Sequence, residues 1–593
     1  VSTRPSAGDQ RPTPLDPLRF GPEAIANLRQ IIEARRDVRR RFLPSPIPDD
    51  VLQRVLEAAH RGPSVGLSQP WDFLILSDLD RRQAVAAHVE EERRAFAATL
   101  PLARARAFDG LKVAAILDSP LNLVVTSTLE RGGAHVLGRH TQPEMAHYST
   151  CLAIQNLWLT ARAEGIGVGW VSFYRPEVIS ELLELPDHVQ PIAYLCMGYV
   201  SQFDTRPELA LRGWAAPRPL NWAVHREHWG QRVTHPFDDA VGSIRGLDPG
   251  AAEAAQDRHR RLTKPLGSLG AIEALGVRLA AISGTCPPPV PEPATVAVFA
   301  ADHGVVASGV TPWSSDVTAQ MIGTFCSGRA AINAIARQVG AEVVVVDVGV
   351  VGTVDPAPAL LRRKVRRGTG NIEHEPAMTV AEARAALDVG AEVARELVAA
   401  GARCLLTGDM GIGNTTSSAA LIAHFTGRSA RDVVGRGTGI DDAMLAHKVA
   451  VVDRALARTD LEPAAADAIG ALASLGGLEI AALVGFVAGA AAAGVPAIVD
   501  GVIAGAALVT AGALCPGALA YCIAGHRSAE PGARIALDHV GLRPLLDLDL
   551  RLGEGTGACL ALPLVQASAR VLGEMATFDE AGVSHKDGEA TAG

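Results

Sequence analysis

At 593 residues the chain has room for about four domain-sized units, or two large ones; 48% hydrophobic and 20% charged residues describe an ordinary globular protein with ample core. A formal net charge of -9 gives no reason to expect nucleic acid or an anionic membrane as partner. Eight cysteines without a C-x-x-C spacing, most of them in apolar runs, read as reduced, buried thiols of a cytoplasmic protein, not as a disulfide framework or a zinc site.

Residues 1–21 contain Pro, Ser and Arg, lack the apolar stretch of a signal peptide and are expected to be a disordered arm. From Pro22 to Arg35 an amphipathic helix is predicted, with Ile25, Leu28, Ile31 and Ile32 on one face. It runs into a basic segment, Arg35 to Phe42, with five arginines in seven residues. Such a run is either a solvated basic face or an arginine clamp on a phosphate, whose geometry the guanidinium fork matches. After Pro44, Pro46 and Pro48 a helix starts near Asp49 and ends at the turn Gly62-Pro-Ser64-Val-Gly-Leu-Ser-Gln-Pro-Trp71. Phe73–Leu76 reads as a strand, Tyr148–Ala163 as a long helix, Gly165–Ser172 as a glycine turn entering a strand, and Ile192–Tyr199 as a buried strand.

Arg-Arg-x-x-Arg, the Pro-Ser…Gln-Pro-Trp turn, Gly-Val-Gly-Trp and Met197-Gly-Tyr199 are ordered as in the nitroreductase-like flavoproteins. Residues 22–225 resemble the dimethylbenzimidazole synthase branch, which carries Asp at the position of Asp37 and Ser at that of Ser172. The resemblance implies an α+β fold over residues 22–230 that binds flavin mononucleotide (FMN). It also implies that reduced FMN is consumed with O2 to give 5,6-dimethylbenzimidazole, a separate flavin reductase supplying the reduced flavin. Asp37 would be the acid–base group and Ser172 its partner. Arg35, Arg36, Arg39 and Arg218 would hold the flavin phosphate and ring oxygens, with Ser64 and the Gly169-Trp170-Val171 backbone along the cofactor. Taken alone, Asp37 reads as a salt-bridge partner among arginines and Ser172 as a strand serine. Arg131–His140 reads as a loop that covers the flavin and excludes water; His135 and His140 have no matching ligand spacing for a metal. Leu209–Trp229 corresponds to segments that wrap a partner subunit in that family, which implies a homodimer. Pro236, Gly242, Gly246, Pro249 and Gly250 place a linker at 231–250.

The second half, 251–575, opens with a charged helix to Arg261 and the segment Arg261-Leu-Thr-Lys-Pro-Leu-Gly-Ser-Leu-Gly270. Thr295–Phe299 is a buried strand delivering Ala301-Asp-His-Gly-Val305, and the C-terminal ends of strands are where open α/β sheets bind ligands. Gln320 lies near the start of the next helix, and Val343–Val348 is another strand. Cys404–Thr407 feeds the stretch Gly408-Asp-Met-Gly-Ile-Gly-Asn-Thr-Thr-Ser-Ser418, a strand, glycine turn and helix start that suits an anion. It is neither a Walker loop nor a dinucleotide turn; by itself it reads equally as a capped turn. A second glycine turn, Gly435-Arg-Gly-Thr-Gly439, precedes Lys448. Ala481–Val499 has no charge but is mostly Ala and Gly and is broken by Pro496, so it reads as a helix plus a buried strand, not a membrane span. Leu550-Arg-Leu-Gly-Glu554-Gly-Thr-Gly-Ala558 places a Glu between glycines. The alternation predicts an α/β domain with a mostly parallel, Rossmann-like sheet plus a small helical domain. The polar end, 576–593, is expected to be a flexible tail.

Arg-Leu-Thr-Lys-Pro-x-Gly-Ser-Leu-Gly, Ala-Asp-His-Gly-Val, Gly-Ile-Gly-Asn-Thr-Thr, Gly-Arg-Gly-Thr-Gly and Leu-Gly-Glu-Gly-Thr-Gly-Ala together resemble the nicotinate mononucleotide:dimethylbenzimidazole phosphoribosyltransferases. By that resemblance Glu554 is the general base on the benzimidazole N–H. Gly411, Gly413, Asn414, Thr415, Thr416 and Lys448 bind the 5′-phosphate of nicotinate mononucleotide, and Gln320 lies near the benzimidazole. Asp409 stands where the family usually has Glu, which puts the role of this catalytic candidate in question. Asp302 and His303 are adjacent in an extended segment, so their side chains point to opposite faces; both are taken as structural or ribose-positioning. The product implied for the first half is the acceptor implied for the second. The pair therefore reads as a bifunctional enzyme making α-ribazole 5′-phosphate for cobalamin. The alternatives are a transferase fused to an ordinary NAD(P)H-dependent flavin reductase, or to a non-catalytic flavin sensor.

Overall fold

The computed structural model describes residues 20–100, 102–215, 217–229, 232, 234–458 and 467–584. The arm expected at 1–21, apart from Phe20 and Gly21, and the tail beyond 584 lie outside the described residues. Two compact units are present, one ending at Trp214 and one beginning at Ala215.

The first unit is built on an antiparallel sheet of β1 (Trp71–Leu76), β2 (Leu121–Thr128), β3 (Ile166–Val171) and β4 (Val189–Tyr199), in the order β1-β2-β4-β3. Alternate residues of each strand face opposite sides. Leu123, Val125, Leu195 and Met197 pack with Ile154 and Leu157 of the helix Met145–Ala163 on one side. Val124, Tyr194 and Cys196 pack with Val85, Val89 and Ile179 on the other. The basic segment crosses the edge strand: Val38 N–H donates to the Val168 carbonyl at 2.9 Å. A Cβ on Gly169 would stand 2.1 Å from the Val38 carbonyl oxygen, so the glycine of this motif is required by the close approach of residues 37–38.

The second unit holds a six-stranded sheet: β5 (Ala294–Ala301), β6 (Ala341–Gly349), β7 (Leu360–Arg362), β8 (Cys404–Met410), β9 (Ala497–Val499) and β10 (Cys522–Ala524), ordered β10-β9-β8-β5-β6-β7. Every neighbouring pair is parallel. The chain moves from β5 outward to β7, returns to the other side of β5 as β8, and moves outward again. Strand order therefore reverses between β5 and β8, and the crevice at their C-terminal ends is the ligand position of such sheets. Helices cover both faces, so β5 is buried along its whole length. The helices Val380–Ala399 and Leu478–Ala492 approach backbone to backbone: a Cβ on Gly485 would lie 1.9 Å from the Leu387 carbonyl oxygen, and one on Gly390 1.8 Å from that of Ala482. The uncharged stretch Ala481–Val499 is thus most of this buried helix followed by β9. Among the described residues no helix is long and apolar enough to cross a membrane.

A small helical layer is formed by Pro249–Arg261, Ala271–Ser283 and the end of Thr556–Glu574, around Ala255, Ala280 and Leu572. The stretch 231–250, expected as a linker, contains a helix, Pro236–Ser243, whose Phe237 is buried in the core of the second unit. It is pinned to the helix Val380–Ala399 by His235–Asp388 at 2.8 Å and Arg232–Glu392 at 2.6 Å. Residues 576–584, placed in the tail by the sequence, include a bridge from Thr577 to Leu262 and a capped helical turn, Phe578–Ala581.

Candidate active site

Glu554 sits in the loop that enters the helix Thr556–Glu574, with a left-handed backbone (φ 65°) between Gly553 (φ 80°) and Gly555 (φ 93°). A non-glycine residue here is strained. The strain is held by Asp500 at the end of β9: its carboxylate accepts from Gly555 N–H at 3.1 Å, Gly557 N–H at 2.8 Å and Ala558 N–H at 3.0 Å. Three donors at a helix N-terminus suit a negative charge. From the other side, the Glu554 carbonyl presses on β8, where a Cβ on Gly408 would lie 2.6 Å away. The Glu554 carboxylate accepts from Ile332 N–H at 3.4 Å. Burial pushes its pKa up, the Ile332 N–H pulls it down, and the negative charge of Asp500 pushes it up again, for a net rise. A carboxylate held this way is a stronger base than a solvated one.

Glu554 and Asp409 line one cavity of about 390 Å³. Its walls are mainly apolar (Trp313, Val317, Met321, Ile412, Val502, Leu552), which suits a flat aromatic ring. Asp409 is buried; one carboxylate oxygen accepts from Asn414 Nδ2 at 3.1 Å and the other has no partner among the described residues. Burial first, then the charges of Asp500, Glu479 and Glu554, raise its pKa well above the usual carboxylate value. The protonated form of Asp409 is therefore favoured more than that of an ordinary carboxyl group.

The cavity runs into the predicted cradle. Gly413 (φ 95°) caps the helix Asn414–Thr426, and Gly411 to Thr416, Gly437, Thr438 and Lys448 line a small recess there. Lys448 is buried, donates to Thr415 Oγ1 at 2.8 Å and to the Gly435 carbonyl at 3.3 Å, and burial lowers its pKa to about 8, Glu530 opposing. Glu530 fixes the second glycine turn by accepting from Gly437 N–H at 2.8 Å. The structure thus brings Gly411, Gly413, Asn414, Thr415, Thr416, Lys448, Asp409 and Glu554 together. Gln320 is exposed; Val317 and Met321 of its helix line the cavity, and Gln320 is not in that lining. Asp302 and His303 do diverge: Asp302 accepts from Val351 N–H at 2.8 Å, and His303 turns to Ser417 and Glu479. Sequence reasoning did not assign Glu479, Asp500 or Glu530 to this site. Only Asp500 left a signal, as the Asp-Gly pair that ends a strand.

In the first unit, Asp37 Oδ1 accepts from Trp170 N–H at 3.0 Å and Oδ2 pairs with Arg39 at 2.6 Å. Burial raises the Asp37 pKa, against the lowering effect of Arg39. Arg39 Nε is buried without a partner among the described residues. Arg35 stacks over the Trp158 ring at 4.9 Å. Arg36 donates to the carbonyls of Glu33, Arg35, Asp204 and Thr205, so its guanidinium is occupied by its own chain. Ser64 Oγ accepts from Gln69 N–H at 3.0 Å. Ser172 is exposed just past β3. The 131–140 loop lies against the Ser64–Gln69 turn, with Arg131 donating to the Gln69 carbonyl. Arg218 belongs to the second unit, where it donates to the Trp222 carbonyl and pairs with Glu392 at 3.2 Å.

A phosphoribosyltransferase family model matches residues 244–583, and a nitroreductase family model matches residues 32–199. A nicotinate-nucleotide–dimethylbenzimidazole phosphoribosyltransferase of Salinispora tropica is 55% identical over 364 residues, 59% of this chain and 100% of that protein. The Chloroflexus aggregans protein of the same name is 50% identical over 346 residues, 58% of this chain and 97% of its own length. The crystal structure of the Thermus thermophilus phosphoribosyltransferase of that name has 47% identity and a TM-score of 0.55, covering 57% of this chain and 100% of that one.

Proposed function

Since the chain belongs to the phosphoribosyltransferase family, and carries a nitroreductase-family unit ahead of that domain, we propose that it makes α-ribazole 5′-phosphate in two steps. In the second unit, phosphoribosyl passes from nicotinate mononucleotide to 5,6-dimethylbenzimidazole. The observation that carries this reading is Glu554: a strained, buried carboxylate with a raised pKa, facing an apolar cavity that opens onto a cradle with one buried lysine. The 5′-phosphate lies in the Gly411–Thr416 turn against Lys448. Glu554 accepts the azole N–H proton, the freed ring nitrogen bonds to the anomeric carbon, and the glycosidic bond electrons return to the pyridine nitrogen of the departing nicotinate. Attack from the face opposite the leaving group converts the β-nucleotide to an α-linked product. Asp409, as a neutral acid, donates a hydrogen bond to a ligand oxygen or nitrogen in the cavity. The Glu554→Gln variant, supplied with both substrates, tests this: kcat falls about 10²–10⁴-fold while KM for nicotinate mononucleotide stays within a few-fold. Near-normal kcat overturns the assignment.

The first unit supplies the acceptor in this reading, from reduced FMN and O2. The fit to FMN is partial: Arg39 has a buried, unpartnered Nε and Asp37 a raised pKa beside it, whereas Arg36 is saturated by backbone carbonyls. When bound, reduced FMN supplies both the electrons and the ring carbons of the product. Arg39 and Arg35 hold the anion, and Asp37 moves a proton at Oδ2, the oxygen that Arg39 otherwise engages. Ser172 is its hydroxyl partner. A homodimer and a separate reductase as source of reduced flavin complete the reading. Asp37→Asn should abolish dimethylbenzimidazole formation while flavin fluorescence still titrates on binding. Repeated turnover of the wild type without loss of flavin would instead establish an ordinary flavin reductase.

A further inference from the structure

We infer that His303 and Glu479 are positioning residues for the phosphate cradle, an inference that rests on the phosphoribosyltransferase reading. Both side chains are fully buried and neither lines the cavity. His303 Nε2 meets Glu479 Oε1 at 2.6 Å, and His303 Nδ1 meets Ser417 Oγ at 3.0 Å. These are the only two polar atoms of the imidazole. The ring cannot turn without losing one of them, so its orientation is locked.

That ring lies against the cradle turn. A Cβ on Gly411 would stand 3.4 Å from His303 Cδ2, and one on Gly413 would stand 3.2 Å from His303 Cβ. Gly477 is as closely constrained: its Cβ would come within 2.4 Å of His303 Cε1. Ser417 belongs to the helix that starts at Asn414, two residues beyond Thr415, whose hydroxyl receives Lys448. Glu479 lies in the first turn of the helix Leu478–Ala492, where the helix dipole favours its charge. The contacts therefore run from the Glu479 helix through His303, at the end of β5, to Ser417 in the cradle helix. The glycine turn is itself closely packed, a Cβ on Gly411 standing 2.4 Å from the Ala301 carbonyl oxygen, and this link adds a side-chain tether at the place where the turn meets the phosphate. Ser417 directly follows the cradle residues in the chain, but its hydroxyl is buried and committed to His303.

The test uses the full chain and three variants, Glu479→Ala, Glu479→Gln and Ser417→Ala, in the transferase assay with supplied dimethylbenzimidazole. A second readout is the inhibition constant of inorganic phosphate. Glu479→Ala should raise KM for nicotinate mononucleotide and weaken phosphate inhibition by about tenfold, with KM for the benzimidazole changed less than about twofold. Ser417→Ala should shift the same two quantities by about threefold. Glu479→Gln, which keeps an acceptor for His303, should restore most of the loss. Lowered thermal stability with both KM values and phosphate inhibition unchanged would overturn the inference, and so would equal losses for the two substrates. Should Glu479→Ala fail to fold, Ser417→Ala decides. Absence of transferase activity in the wild type would sink the parent reading instead, a distinct outcome.

Discussion

Asp500 holds Glu554 without touching its side chain: the aspartate carboxylate takes the Gly555 N–H at 3.1 Å, and with it the backbone on which the left-handed Glu554 is mounted. Fifty-four positions separate them in the chain, and the end of β9 brings them together.

Asp500→Asn keeps the shape but removes the charge and one acceptor. Hydrogen bonds to charged groups are worth about 1.5–3 kcal/mol each, so the variant should be destabilised by roughly 2–4 kcal/mol, seen as a lower denaturant midpoint. Its kcat should fall about tenfold or more as Glu554 loses its placement. The charge of Asp500 raises the Glu554 pKa, so the acid limb of the kcat/KM profile should move to lower pH in the variant. An unmoved limb would mean another group sets it.

Lys448 gives a signature in the opposite direction. Its pKa falls from 10.5 to about 8 in the folded protein, so between these values the folded state binds fewer protons than the unfolded one. The contribution of Lys448 to stability is then adverse at neutral pH and is relieved as pH rises from about 8 toward 10.5. Phosphate binding runs the other way, because only the ammonium attracts the anion. KM for nicotinate mononucleotide should rise as pH passes about 8. In Lys448→Met the same KM should be high and nearly flat with pH.

Asp409 has a folded-state pKa well above its ordinary 3.8. The folded protein therefore holds a proton that the unfolded chain releases, and stability falls as pH rises from about 4 through the folded value. Asp409→Asn removes that loss while keeping a donor in the cavity. Its melting temperature at neutral pH should equal or exceed that of the wild type, with kcat reduced by no more than about tenfold. Asp409→Ala, which has no donor, should lose activity further.

Much of this was legible in the sequence because glycines mark places where backbones nearly touch. Gly408 faces the Glu554 carbonyl, Gly413 faces His303, and Gly169 faces Val38; each lies in a motif the sequence reading singled out. Strands β5, β6 and β8 were readable as apolar runs since both faces of that sheet are covered. β2 escaped notice: its Thr126, Ser127 and Thr128 are buried yet polar, so it lacks the apolar signature of a central strand. The electrostatics were not legible either. Glu479 lies 176 positions from His303 and 70 from Asp409, inside an Ala- and Gly-rich helix with no motif. Arg36 looked like a phosphate ligand, and only the fold reveals the four carbonyls that surround it.

The most direct measurement is one aerobic reaction containing the purified protein, chemically reduced FMN and nicotinate mononucleotide, analysed by mass spectrometry. The wild-type protein should yield α-ribazole 5′-phosphate and free nicotinate with no added dimethylbenzimidazole, and both Asp37→Asn and Glu554→Gln should lose the product. No product even when dimethylbenzimidazole is supplied would contradict the role given to Glu554 and the cradle. Product only with supplied dimethylbenzimidazole would contradict the flavin-consuming role of Asp37.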